Sequence, residues 1–128
     1  MLTAAALLAV LAIAGCGRSD FKNDPRPPIP AVVSVKMAPD GVGVSPREFG
    51  AGLVNFTVAN LTNRTGSLAI HGPVDATTNP IGPGDADTIK VQMLTGSYEA
   101  STNGFSVRPF SFKVGPERPT GQNQLLLP

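Results

Sequence analysis

The sequence predicts an all-β protein, an antiparallel β-sandwich or small barrel of six or seven short strands in one domain. Three observations carry that expectation. Beyond Pro30, apolar and polar residues alternate with a period of two in one stretch after another, the mark of half-buried strands. Turn-forming sequences separate those stretches: Pro39-Asp40-Gly41, Pro83-Gly84-Asp85, Thr95-Gly96 and Asn103-Gly104. No amphipathic helical stripe survives 13 prolines and 14 glycines.

Taken in order, AVVSVKM sets Val33, Val35 and Met37 on one face and Ser34 and Lys36 on the other. In LVNFTVAN, Val54, Phe56 and Val58 alternate with Asn55 and Thr57. SLAIH points Leu68 and Ile70 one way, Ser67 and His71 the other. DTIKVQM offers Ile89, Val91 and Met93 against Lys90 and Gln92, and SYEAST offers Tyr98 and Ala100 against Glu99 and Ser101. FSFKV closes the series with Phe110, Phe112 and Val114 against Ser111 and Lys113. Gly41-Val42-Gly43 and Gly82-Pro83-Gly84 lack the strand-to-helix setting of a nucleotide-binding loop and are expected to be turns.

The chain ahead of the strands has a different chemistry. From Ala4 to Gly15 no residue is charged, yet the run is too short to cross a bilayer, which takes roughly 20 residues. Its length suits the apolar region of a signal peptide. Ile13-Ala14-Gly15-Cys16 resembles the bacterial lipobox, which implies cleavage before Cys16 and lipidation of its sulfur. Two or more acyl chains anchor a protein stably. The expected organisation is a signal peptide over 1–15, lipidated Cys16 and a proline-rich tether over 16–30, and the sandwich over 31–128. It places the protein on the extracytoplasmic face of a bacterial membrane. No Lys or Arg precedes the apolar run, which points to a start codon further upstream. As Cys16 is the sole cysteine, no intrachain disulfide is available. A net charge of +1 with no basic cluster argues against nucleic acid as a partner. The three Asn-x-Thr triplets at Asn55, Asn60 and Asn63 are taken as strand and turn composition.

The order of two phrases carries a family resemblance. VSPREFGAGLVNFTVANLTNRTGSLAI followed by PIGPGDADTIKVQMLTGSYEAST resembles the cupredoxin-like domain, in which a strand and turn precede H-x-L-x-I and a later I-x-P-G phrase leads to a copper-binding cysteine. The resemblance spans Ala31 to Val114 and implies a Greek-key sandwich. It places Gly66 where the first histidine ligand belongs and Thr102 near the place of the cysteine. Type-one copper needs two imidazoles, a thiolate and a weak axial sulfur. Here Asn103-Gly104 is expected to close the ligand loop into a two-residue hairpin turn. No cofactor is therefore expected.

Few other residues offer chemistry. His71, the only histidine, is a weak metal candidate with Asp75 or with Asp85 and Asp87; the plainer reading is a solvated residue at a strand end. Met37 and Met93 fall on apolar faces and are expected in the core. With one histidine and no nucleophile elbow, no catalytic constellation is evident, so the chain is not expected to be an enzyme. Leu125, Leu126 and Leu127 either pack back on the sandwich or dock a partner. The expected role is a binding or interaction domain of the cell envelope, its partner an envelope protein or small ligand. The alternative is a metal-handling protein that uses His71 and methionines.

Overall fold

The computed structural model describes residues 29–119; Cys16, the segments assigned to leader and tether before Ile29, and Leu125–Leu127 lie outside them. Eight strands follow one another: β1 (Ala31–Ala38), β2 (Gly41–Ser45), β3 (Glu48–Asn60), β4 (Ser67–His71), β5 (Ala76–Thr77), β6 (Ala86–Met93), β7 (Gly96–Asn103) and β8 (Phe110–Glu117). No helix occurs among the described residues. Sheet A has the order β2-β1-β3-β6 and sheet B the order β3-β8-β7-β4-β5, with β3 shared between them. The pairing is mixed, which corrects the all-antiparallel expectation: β1/β3 and β3/β8 run parallel. Strand alternation reveals which face is buried but not the direction of a neighbour.

The shared strand changes sense partway. Gly66 exchanges hydrogen bonds with Ile81, and Ile81 O also accepts from the side chain of Asn60, so β4 begins where β3 ends. Residues 53–60 therefore run against β4. Because β4 and β8 are both antiparallel to β7, residues 48–51, parallel to β8, run with β4. The chain must fold back between these segments. It does so at a register shift between Gly50 and Ala51 and at Gly52, whose φ of 129° favours glycine. Arg118 fastens the bend, its N–H donating to Ala51 O at 3.1 Å and its guanidinium to Leu53 O. Strand β2 and residues 48–51 thus form one path from sheet A to sheet B, and residues 53–60 return to sheet A.

Between the layers lie the side chains that the alternation pointed inward. Val33, Val35 and Met37 from β1, Val54, Phe56 and Val58 from β3, and Val91 and Met93 from β6 meet Leu68, Ile70, Tyr98, Ala100, Phe112 and Val114 of sheet B. Ile89 and Phe110, expected on the same faces, are only partly buried at the margin. Aromatic rings tie the layers together: Phe56 meets Phe49 edge-on at 6.1 Å, Phe49 stacks on Phe112 at 5.8 Å, and Phe112 on Tyr98 at 5.4 Å. The Tyr98 hydroxyl donates to Leu94 O at 2.7 Å, and burial raises its pKa against the lowering pull of backbone hydrogen bonds.

Two local expectations are corrected. Gly41-Val42-Gly43 is not a turn but the start of β2, and only Pro39-Asp40 turns. Val42 and Val44 face the core while Gly43 faces out beneath the side chain of Lys36. Asn103-Gly104 is not a two-residue hairpin. Strand β7 pairs with β8 only from Gly96 to Ala100, runs on beside β4 to Asn103, and is joined to β8 by a loop over 104–109.

Candidate functional site

The loops 61–66, 78–85 and 104–109 gather at the end of the sandwich where β3 and β7 finish and β4 and β8 begin. Asn60 organises the first two. It is fully buried, its amide donates to Arg64 O at 2.7 Å and Ile81 O at 2.8 Å, and its carbonyl oxygen accepts from Thr62 N and Thr62 Oγ1 at 3.0 and 2.7 Å. All its hydrogen-bonding capacity is committed. Its backbone adds bonds to Asp85 O and from Gly84 N, pinning the Pro83-Gly84 turn.

At this end the structure brings together the positions matched to the first two copper ligands. Leu68 pairs with Thr102 and Ser67 with Asn103, so Gly66 and the end of β7 are neighbours. The space beside Gly66 is already occupied. A methyl group added there would collide with the Phe105 ring and lie 2.6 Å from Asn103 O. Thr102 Oγ1 holds that loop in place by donating to Phe105 O at 2.8 Å. Gly104 adopts a φ of 95°, and a Cβ there would lie 2.9 Å from Thr65 O. The Phe105 ring of the loop over 104–109 fills the space beside Gly66.

His71 lies at the opposite end, where β4 finishes. It is paired across the sheet with Glu99, and its Nδ1 stands 3.7 Å from Asp75 Oδ1, with side-chain exposures of 60% and 75%. A pair so open to water gains little from its charges. Asp85 and Asp87 do not join it: Asp85 is bonded to Asn60 at the loop end, and Asp87 Oδ1 accepts its neighbour's Thr88 N at 2.9 Å. Met37 and Met93 are 0% and 1% exposed in the core, sealed from solvent. No three His, Cys, Asp or Glu residues gather into a metal-holding group among the described residues.

No protein-family profile matches this chain, and no curated protein matches it. Among solved structures, a copper-containing nitrite reductase from Thermus scotoductus is similar at 19% identity and a TM-score of 0.44, over 73% of this chain. The match takes in only 24% of that protein's length.

Proposed function

We propose that this protein is a membrane-anchored lipoprotein of the bacterial cell envelope that displays a copper-free, cupredoxin-like Greek-key domain as a binding module. The observation that carries the copper-free reading is the Phe105 ring seated against Gly66, on the position where a first imidazole would stand. The fold reading is supported by the quoted phrases of the sequence and by the strand path that crosses from sheet A to sheet B and back. The anchor is supported by Ile13-Ala14-Gly15-Cys16. On this reading the domain holds a partner or ligand and catalyses nothing.

Two measurements test it. The purified protein is expected to stay colourless when titrated with copper(II), without the intense visible band of a copper–thiolate bond. A blue, stoichiometric complex would overturn the copper-free assignment. Cys16→Ser is expected to move the protein from the membrane fraction to the soluble or secreted one. Continued membrane partitioning of that variant would remove the lipid anchor from the reading.

A further inference from the structure

The two outer faces of the sandwich differ in charge. Sheet B presents Glu48, Glu99 and Glu117 beside Lys113. The outward positions of sheet A carry Lys36 on β1 and Lys90 on β6 and no carboxylate. Across that face the register lines up four hydroxyl side chains in a row, one per strand: Ser45, Ser34, Thr57 and Thr88. All four are exposed. Such a row repeats at the strand spacing of ~4.8 Å, and each hydroxyl both donates and accepts.

Lys36 stands beside this row. Its stem lies over Gly43, where an added Cβ would sit 2.7 Å from Lys36 Cε, so the glycine lets the lysine lie flat across the sheet. A cleft of 560 Å³ opens here, lined among others by Ser34, Lys36, Ser45, Thr57, Arg47 and Phe110. That volume is within the ~300–1,000 Å³ of small-molecule sites. The Arg47 guanidinium lies 5.5 Å from the centre of the Phe110 ring. Neither Lys36 nor Arg47 forms an ion pair with a carboxylate among the described residues, where His71–Asp75 is the one such contact.

We propose that this cleft on the outer face of sheet A binds an anionic saccharide. The carboxylate of a uronic acid meets Lys36 and Arg47, the sugar hydroxyls meet Ser34, Ser45 and Thr57, and Phe110 flanks the ring. Charge complementarity selects an anion, and the hydroxyl row selects a polyhydroxylated one over a bare ion. The proposal rests on reading the domain as a binding module. It is independent of the anchor and of copper.

The test is a titration of sodium glucuronate into the isotope-labelled full chain carrying Cys16→Ser, with a metal chelator present, read by amide chemical shifts. Saturable shifts are expected at Ser34, Lys36, Ser45 and Thr57. Glucose, without the charge, and inorganic phosphate, without the ring hydroxyls, should each bind at least about fivefold more weakly. Lys36→Gln should weaken glucuronate binding about tenfold, the worth of one charge-assisted hydrogen bond, with the melting temperature unchanged. Ser34→Ala should weaken it as well. Absence of saturable shifts, or Lys36→Gln binding as tightly as the parent, overturns the proposal. So does phosphate binding as tightly as glucuronate, which marks a plain anion patch. Shifts of the same amides by phosphatidylglycerol vesicles but not by glucuronate would overturn it in favour of a membrane surface. With chelator present and the anchor removed, failure here leaves the copper and partition tests to decide the parent reading separately.

Discussion

Phe56→Ala is expected to cost about 3–5 kcal/mol of stability, the range for deleting a buried phenyl ring. Phe56 is 0% exposed and stands in β3 at the centre of sheet A, pressing edge-on against Phe49. Through Phe49 it reaches the stacked rings of Phe112 and Tyr98 in sheet B. Truncation therefore opens a cavity between the layers and removes one end of an aromatic series. Strands on both sides are held by their ladders, so the site cannot collapse to fill the void. A domain of this size has about 5–15 kcal/mol of net stability. The melting temperature should fall by ~12 °C or more, at roughly 4–8 °C per kcal/mol. Denaturant unfolding checks the free energy directly. A loss below about 1 kcal/mol would mean that Phe56 does not hold the layers together.

Asn60→Ala should be nearly as damaging, at about 2–3 kcal/mol, although it removes no large apolar surface. The variant strips the amide donor from Ile81 O and Arg64 O and the acceptor from Thr62 N. Part of that array is sealed from water, so the abandoned groups cannot all recover a partner. Asn60→Asp should not rescue it: the carboxylate keeps the acceptor but turns negative oxygen toward two carbonyls. Besides a lower melting temperature, amide exchange at Gly66 and Ile81 should quicken, because both loops hang on this side chain. Unchanged exchange at those two amides would show that the loops are held by their backbone bridge alone.

Much of the fold was legible because most strands bury only one face. The alternation in β1, in the second half of β3 and in β6 to β8 stated which side chains turn inward, and Val33, Val54, Met93, Tyr98 and Phe112 do so. Strand β2 was hidden because Gly41 and Gly43 mimic turn composition, while what makes them a strand is the partner β1 and the acceptor Arg108 O for Val42 N. In β4 the alternation weakened for a different reason. Ser67 and Ala69 are buried as well as Leu68 and Ile70, so only His71 is exposed; along the edge of the strand the Thr78 hydroxyl accepts from Leu68 N at 3.0 Å. The Asn103-Gly104 signal misled because local turn propensity was overruled by the continued pairing of β7 with β4.

The candidate site was legible in part. The resemblance to the cupredoxin-like domain singled out Gly66 and Thr102, and the register brings them near one another. Phe105 was beyond reach of such a reading, since its meaning lies in the space left by a glycine 39 positions earlier in the chain. Asn60 was visible only as part of an Asn-Leu-Thr triplet, whose strand-and-turn reading fits its place at the end of β3. The four-hydroxyl row needs three strand registers at once, none of which single-sequence periodicity supplies.

The run from Gly41 to Asn60, laid first in sheet A, then in sheet B, then in sheet A again, has a consequence for how the domain comes apart. In a sandwich whose layers own separate strands, one sheet can loosen while the other keeps its ladder. Here the same run contributes hydrogen bonds to β1 and β6 on one side and β8 on the other. Pulling it from either layer strains the bend at Gly52 and withdraws Phe49 and Phe56 together. Partial opening is thereby confined to what hangs outside the run, chiefly β5 and the loop that carries it. Everything else is bound into a single cooperative unit, in which the last contact to yield and the first belong to the same length of chain.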